Sequence, residues 1–262
     1  MIPKIIHYCW FGHNPLPESA QKCIASWRKF FPDYEIWQWS EAPIDHNDNH
    51  NLNCLYDKLM GFDVNSIQYT REAYEAKKYA FVSDYARFWI LYKYGGLYFD
   101  TDVEVIKSFD DIVERGAFMG AELLTEDGTP KVNPGLGLGV EKGDKVIKAL
   151  LDRYACFWFK NDDGSFNLKT IVDYTTETLL DFGMVSSKNI QQVEAWTIYP
   201  VEYFNPFDDL TGKLNCTKHT RSIHWYSKTW YAVPVWRIFL SRLSHRLFGL
   251  RLHKLLKGFK KK

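Results

Sequence analysis

The chain has 262 residues, of which 46% are apolar and 17% aromatic, enough to form the core of one α/β domain. Its five cysteines are widely spaced without a Cys-x-x-Cys pair, which argues against a disulfide framework and a zinc ribbon. The N-terminal segment lacks the apolar core of a signal peptide, and no stretch approaches the roughly 20 apolar residues of a membrane span. These features predict a reduced, cytoplasmic protein.

The net charge of +1 conceals a strong asymmetry along the chain. Residues 210–262 contain 13 of the 33 lysines and arginines and no aspartate or glutamate. Residues 1–209 contain 20 basic and 32 acidic residues, which leaves a net charge of −12. An acidic body with a basic tail predicts that the tail has an anionic surface as its partner.

The hydrophobic pattern predicts alternating strands and helices, which is typical of an α/β fold with a largely parallel sheet. The predicted strands are residues 2–10, 35–39, 97–99, 118–122 and 134–139. The predicted helices are residues 18–31, 71–94, 144–159 and 168–182. The polar segment 45–53 predicts a loop. The long helix is expected to end at Gly95 and Gly96, which favour a helix C-terminus.

The triplet Asp100-Thr101-Asp102 directly follows the short apolar strand at residues 97–99. Ligands of α/β sheets bind at the carboxyl ends of strands, so two carboxylates at this position favour a ligand site. Short, oxygen-only side chains suit Mg²⁺ or Mn²⁺, which commonly bind one or two carboxylates plus phosphate oxygens. An Asp-x-Asp pair alone is also compatible with an acidic turn that caps the next element.

The preceding helix places a charged pair on an apolar face. Ala80, Asp84, Arg87 and Leu91 follow helical spacing, so the acid and the base share the face that should pack on the sheet. A structural buried ion pair is one interpretation. The other is a site in which Asp84 accepts sugar hydroxyls and Arg87 binds sugar or phosphate oxygens.

Three ordered blocks of the sequence resemble the DXD-containing sugar-transferase family, glycosyltransferase family 32. This family includes initiation-specific α-1,6-mannosyltransferases and bacterial capsular polysaccharide transferases. The first block is IPKIIHYCWFG at residues 2–12. The second contains SDYAR at 83–87 and LYKYGGLYFDTDVE at 91–104, and the third is IHWYSKTW at 223–230. The resemblance covers about residues 1–230.

The resemblance implies a GT-A fold, a Rossmann-like sheet of nucleotide-diphosphosugar transferases, with Mn²⁺ or Mg²⁺ bridging Asp-x-Asp to the diphosphate. It implies nucleotide-sugar contacts for Cys9, Trp10, Phe11, Asp84, Arg87, Asp100, Asn133, Gly135 and Trp230. It implies metal contacts for Asp100, Asp102, His224 and Thr229, and catalytic roles for Asp84, Arg87 and Asp102. The family pattern usually has serine where this chain has Thr229, although the threonine hydroxyl can also coordinate a metal.

Residues 1–232 are therefore expected to form a GT-A domain and residues 233–262 a basic, amphipathic, helical tail. A helix of this kind is typical of a protein bound to an anionic membrane surface, although it could instead pack on the domain. The expected location is the cytoplasm, peripheral on the inner face of the cell membrane. No recognised nucleic-acid module accompanies the basic tail, so no nucleic-acid partner is expected.

The predicted reaction is anomer-retaining transfer of a hexose from a nucleotide sugar to a hydroxyl of a glycan, such as a lipid-linked oligosaccharide in bacterial surface polysaccharide synthesis. UDP-galactose is the first candidate donor, followed by UDP-glucose and UDP-N-acetylglucosamine. One alternative is an inactive, membrane-associated scaffold of the same fold. Another is a haloacid-dehalogenase-type phosphatase, but its motif needs Thr or Val where this chain has Glu104.

Overall fold

The computed structural model describes residues 1–42, 55–227 and 242. The helices within these residues are α1 (Glu18–Phe30), α2 (Gln68–Glu75), α3 (Tyr79–Tyr94), α4 (Asp110–Val113), α5 (Lys145–Ala155), α6 (Ile171–Asp181) and α7 (Val201–Phe204). The strands are β1 (Ile5–Cys9), β2 (Glu35–Glu41), β3 (Lys58–Phe62), β4 (Gly96–Tyr98), β5 (Val103–Val105), β6 (Phe118–Leu124), β7 (Pro130–Asn133), β8 (Leu138–Val140), β9 (Gln191–Val193), β10 (Trp196–Tyr199), β11 (Phe207–Asp208), β12 (Lys213–Leu214) and β13 (Ser222–His224). The loop predicted at 45–53 and the predicted tail, apart from Arg242, lie outside the described residues.

The central sheet confirms the predicted α/β class but is mixed in direction. Its strand order is β3-β2-β1-β4-β8-β6-β10-β9, and β7 pairs with β6. Strands β3, β2, β1 and β4 are mutually parallel, whereas β8 is antiparallel to both β4 and β6. Because β6 therefore runs in the direction of β4, and β10 is parallel to β6, six of the nine strands share one direction. The expectation of a largely parallel sheet is confirmed except for β7, β8 and β9, which run the other way. Five residues separate β6 from β7, too few for the crossover that a parallel connection needs, and β8 then pairs with β6 in the same direction as β7.

The helix predicted at residues 71–94 is two helices, α2 and α3, with a break between them. Lys77 has φ 56° in the break, a left-handed conformation that ends α2. Neither glycine nor proline marks this position, so the sequence pattern did not indicate it. The predicted end of the second helix is confirmed, because Gly95 has φ 65° and its N–H donates to the carbonyl of Leu91.

Both faces of the sheet are buried. Alternation along β1 sends Tyr8 to one face and Cys9 to the other. On the first face, Trp27 of α1 packs against Tyr8 and Phe99 with ring-centroid distances of 5.8 and 5.5 Å. On the second face, α3 and α5 pack together through contacts such as Phe88 with Tyr154. Because β1, β2 and β4 are parallel, their carboxyl ends meet at one edge of this buried sheet.

A second, two-stranded sheet lies beside this edge. Strand β13 is antiparallel to β5, with His224 opposite Val103. This pairing brings the third sequence block next to the Asp-Thr-Asp triplet. Among the described residues no helix is long and apolar enough to cross a membrane.

Candidate active site

Asp100 lies immediately after β4 and is held by three neighbours. Its backbone N–H donates to the carbonyl of Gly135 at 3.0 Å, and the Tyr98 hydroxyl donates to its Oδ1 at 3.2 Å. Nη2 of Arg87 lies 3.3 Å from the same oxygen. The side chain of Asp100 remains 29% exposed, so this carboxylate is fixed in position yet accessible to a ligand.

The acid and base predicted on one face of α3 form a buried ion pair. Nη2 of Arg87 lies 3.0 Å from Oδ1 of Asp84, and the guanidinium stacks 4.7 Å from the Tyr98 ring centroid. Burial lowers the pKa of Arg87, but Asp100, Tyr98, Asp84 and Cys9 together outweigh that effect and raise the pKa overall. Burial raises the pKa of Asp84 to about 7, against the attraction of Arg87. The arrangement keeps one permanent cation beside two carboxylates.

Asp102 is bound by the third sequence block. Its Oδ1 lies 3.2 Å from Nε2 of His224, and its Oδ2 accepts the backbone N–H of Ser227 at 2.8 Å and the Ser227 hydroxyl at 3.0 Å. Burial alone would raise the pKa of Asp102, but His224 and Ser227 outweigh it and hold that pKa well below its usual range. Burial alone would lower the pKa of His224, but the neighbouring Asp102 carboxylate outweighs the effect of burial and raises that pKa. Asp102 is therefore ionised, and its charge favours protonation of His224.

Gly135 closes the site beside Asp100. A Cβ at this position would lie 1.9 Å from Oδ2 of Asp100 and 3.0 Å from Nη1 of Arg87, so the glycine provides room for these charged side chains. Oδ1 of Asn133 accepts the Gly135 N–H at 2.7 Å, and Nδ2 of Asn133 donates to Oε2 of Glu122 at 2.6 Å. Asn133 thus orders the loop that leads from β7 into the site.

The first block contributes mainly backbone to this edge. Cys9 and Phe11 are 6% and 5% exposed, and burial raises the pKa of the Cys9 thiol to about 12. Trp10 is less buried; its indole N–H donates to the carbonyl of Asn14 at 2.5 Å. Only Trp10 of the three therefore has a side chain with appreciable exposure, so a nucleotide would meet this side chain and the backbone.

Sequence reasoning missed Glu41 at the carboxyl end of β2. This residue is 8% exposed, and its Oε1 accepts the backbone N–H of Gly12. Its Oε2 is buried and has no hydrogen-bond partner in the part of the chain that the structure describes. The sequence feature that could have identified Glu41 is an acidic residue at the end of an otherwise apolar strand. Tyr98 and Ser227 were also missed, because their contacts with the two aspartates depend on the fold.

The donor set fits a divalent cation that shares its coordination with a phosphate. Among the described residues no group of three or more His, Cys, Asp or Glu side chains forms a complete metal cage. Mg²⁺-like ions in such sites need only one or two carboxylates, since substrate phosphates supply further oxygens. Asp100 is accessible, Asp102 is ionised, and Nδ1 of His224 is buried without a partner in the described chain. Thr229, the other predicted metal ligand, and Trp230, a predicted nucleotide-sugar contact, lie outside the described residues.

Residues 17–119 match the glycosyltransferase sugar-binding region containing a DXD motif. Inositol phosphoceramide mannosyltransferase 1 of Schizosaccharomyces pombe is 28% identical over 121 residues, which are 45% of this chain and 33% of that protein. Inositol phosphoceramide mannosyltransferase 3 of the same organism is 30% identical over 118 residues, 45% of this chain and 29% of that protein. The chain thus spans about a third of the length of these curated relatives.

The fold is similar to that of the solved PaToxG glycosyltransferase, with a TM-score of 0.50 and 20% identity over 69% of each chain. At this identity the likeness concerns the fold alone. It agrees with the GT-A architecture implied by the sequence, and the resemblance to DXD-containing glycosyltransferases is confirmed.

Proposed function

Because residues 17–119 match the sugar-binding region of DXD-containing glycosyltransferases, we propose that this chain moves a hexose from a nucleotide sugar to a hydroxyl of a glycan acceptor. One observation supports this proposal most strongly. Asp100 and Asp102 lie at the carboxyl edge of the sheet beside Arg87, a buried arginine whose guanidinium is within 3.3 Å of Asp100. The two carboxylates suit a divalent cation that also binds a diphosphate. The fixed guanidinium suits the negative charge of the diphosphate or the oxygens of a sugar.

The roles of the individual side chains follow from their surroundings. Asp100 and Asp102 would hold Mn²⁺ or Mg²⁺, which when bound neutralises charge on the departing diphosphate. Arg87 is fixed by Asp84 and Asp100 and presents a permanent cation to phosphate or sugar oxygens. Asp84 accepts sugar hydroxyls next to it. His224 keeps Asp102 ionised and oriented, which makes it a positioning residue for that carboxylate.

We favour retention of the anomeric configuration by front-face substitution. The bond between the anomeric carbon and the phosphate oxygen breaks, the acceptor oxygen bonds to the same face of that carbon, and the acceptor proton passes to the departing phosphate. Asp84 is paired with Arg87 at 3.0 Å, and Glu122 accepts a hydrogen bond from Asn133 at 2.6 Å. Neither carboxylate is a free nucleophile in this arrangement, which favours the direct route over a covalent glycosyl-enzyme.

For the donor we propose a UDP-sugar, with UDP-galactose tested first and UDP-glucose and UDP-N-acetylglucosamine next. The names of the two mannosyltransferase relatives favour a second candidate, mannose, so GDP-mannose belongs in the same panel. For the acceptor we propose a lipid-linked oligosaccharide of a bacterial surface polysaccharide, reached from the inner face of the cell membrane through the basic tail.

The test measures the nucleoside diphosphate released from each sugar nucleotide, with Mn²⁺ or with a chelator. We expect one donor class to be consumed only with metal, and Asp100→Asn to lower the rate at least about a hundredfold. Asp163→Asn, an exposed aspartate in a turn that bonds Ser165, is the matched control and should retain the wild-type rate. Metal-independent release, or equal losses in both variants, would contradict the proposal. Proton NMR of the anomeric centre and mass spectrometry of the enzyme then test retention and the absence of a glycosyl adduct.

A further inference from the structure

Glu122 lies near the carboxyl end of β6 at an irregularity in the sheet. The register of β6 against β7 shifts by one residue between Ala121 and Leu123, so Glu122 is the extra residue of a β-bulge. A bulge bends its strand and re-aims the side chain at that position, and bulges are common next to active sites. Glu122 is half-buried, and its Oε2 accepts Nδ2 of Asn133 at 2.6 Å. The carboxylate is thus directed to the loop that leads from β7 into the candidate active site.

The sheet register places Glu122 level with the Asp-Thr-Asp triplet. Gly139 of β8 lies opposite both Leu97 of β4 and Phe118 of β6, and β4 and β6 run in the same direction. Thr101 and Glu122 each follow their strand's partner of Gly139 by four residues, so both lie at the same edge of the sheet. Because one strand separates β4 from β6, the two backbones are about 10 Å apart.

The strand order separates the two sides of this edge. The first sequence block follows β1 on one side of β4, whereas β6 lies on the other side, beyond β8. A nucleotide with its nucleoside at the first block and its diphosphate at Asp100 and Arg87, as proposed above, would direct its hexose towards β6. The molecule that receives the hexose would then lie beside Glu122.

Tyr226, from the third sequence block, lies beside Glu122 in a strained conformation. Its φ is 50°, a left-handed value that is rare for bulky residues and is found mainly at functional sites. Its ring lies 4.1 Å from that of His224. Nδ2 of Asn205 donates to the Tyr226 hydroxyl at 2.7 Å and to the backbone carbonyl of Glu122 at 3.0 Å. Burial and the nearby charge of Glu122 raise the pKa of Tyr226.

The cluster has hydrogen-bonding capacity beyond these contacts. Because the Tyr226 oxygen accepts the Asn205 amide, its own proton is left to donate. Oδ1 of Asn205 is buried and has no hydrogen-bond partner within the part of the chain that the structure describes. The Glu122 carboxylate, bonded to Asn133 through Oε2, has a second oxygen that can accept. Donors and acceptors held together in this way suit the hydroxyl groups of a sugar, each of which both donates and accepts.

We propose that Glu122 and Tyr226 bind hydroxyl groups of the acceptor sugar and orient its attacking oxygen towards the anomeric carbon. Glu122 accepts the hydrogen bond of one acceptor hydroxyl, and Tyr226 donates to another acceptor oxygen. The acceptor proton still passes to the departing phosphate, so Glu122 forms no covalent bond to either sugar. The inference rests on the proposed function, because it assigns the second substrate of the same reaction.

The ratio of two products tests this assignment. The full chain is incubated with Mn²⁺, the sugar nucleotide of the panel above that it consumes, and the methyl glycosides of galactose, glucose and mannose in turn. Transfer to water gives free hexose and transfer to the glycoside gives a disaccharide, and chromatography measures both. Damage to the donor or metal site lowers both products together, whereas loss of the acceptor site lowers the ratio of disaccharide to free hexose.

Glu122→Gln removes the charge but keeps an oxygen that can accept the Asn133 amide, and Tyr226→Phe removes only the hydroxyl. The matched control is Glu126→Gln, which changes an exposed glutamate in the turn between β6 and β7. We expect Glu122→Gln to lower the product ratio at least about tenfold and Tyr226→Phe at least about threefold, since hydrogen bonds to charged groups contribute more than neutral ones. Glu126→Gln should have the wild-type ratio.

A wild-type ratio in Glu122→Gln or in Tyr226→Phe, or an equal fall in Glu126→Gln, would overturn the proposal. So would a wild type that forms free hexose but no disaccharide with any of the three glycosides. The Mn²⁺-dependent thermal shift with nucleotide should be the same in Glu122→Gln as in wild type, and its loss would assign Glu122 to the donor site instead. If wild type forms neither product, the proposed function itself has failed, and the inference fails with it.

Discussion

Nε2 of His224 lies 3.2 Å from Oδ1 of Asp102, and this contact joins the third sequence block to the Asp-Thr-Asp triplet. The pairing of β13 with β5 places His224 opposite Val103, and Ser227 then closes over the second carboxylate oxygen. One carboxylate thus receives hydrogen bonds on both of its oxygens. The consequence is that the C-terminal block, though remote in sequence, sets the charge and direction of Asp102.

His224→Ala should destabilise the protein, because it leaves the buried Asp102 carboxylate without its cationic partner. We expect the free energy of unfolding to fall by about 3 kcal/mol at neutral pH. The single and double alanine variants of Asp102 and His224, unfolded in urea, form a double-mutant cycle. A coupling energy of about 1 kcal/mol or more is expected, and additive losses would show that the two side chains do not interact.

The same pair predicts a pH window for its stabilisation. The His224 pKa is raised in the folded state, so the stability it contributes is present at mildly acidic pH and is lost as pH rises through that pKa. The Asp102 pKa is lowered, so its contribution is present above about pH 4 and is lost as pH falls further. The difference in unfolding free energy between wild type and His224→Gln should therefore be greatest at mildly acidic pH. A difference that grows at alkaline pH would contradict this assignment.

The pKa of Asp84 is shifted in the opposite direction to that of Asp102, because burial raises it to about 7. Its neutral form stabilises the fold at low pH, and this contribution declines as pH rises from about 4 and is gone above about 7. Asp84→Asn removes the titrating group, so the variant should gain stability relative to wild type over that range. Urea unfolding of both proteins at several pH values measures the difference, and a pH-independent difference would refute the raised pKa.

Gly135→Ala should weaken metal-dependent nucleotide binding by at least about tenfold, because the new methyl group would overlap Oδ2 of Asp100, 1.9 Å away. Gly139→Ala is the matched control, since its methyl group would meet Phe118 and Leu97 in the core at 2.4 and 2.7 Å. Both variants should lose stability through overpacking, but only Gly135→Ala should lose nucleotide affinity. Titration calorimetry with UDP and Mn²⁺ separates the two effects, and equal affinities would contradict the role of Gly135.

The sequence predicted those parts of the site that depend on local periodicity. Helical spacing placed Asp84 and Arg87 on one face, and the apolar strand before Asp100 placed the triplet at the sheet edge. The partners of the triplet could not be predicted in this way, because Gly135 and Ser227 reach it only through strand order and long-range pairing. The break at Lys77 was missed for a different reason: a left-handed lysine has no sequence signature comparable to that of glycine.

The central claim is that the Asp-Thr-Asp edge binds a metal and a nucleoside diphosphate, and thermal unfolding with UDP or GDP, each with and without Mn²⁺, tests it most directly. Wild type and Asp102→Asn are compared, since asparagine keeps the shape of the side chain but removes its charge. The account predicts a rise in Tm that needs Mn²⁺, favours one nucleotide and disappears in Asp102→Asn. No rise with either nucleotide, or the same rise in the variant, would contradict it and favour a protein that retains this fold without donor binding.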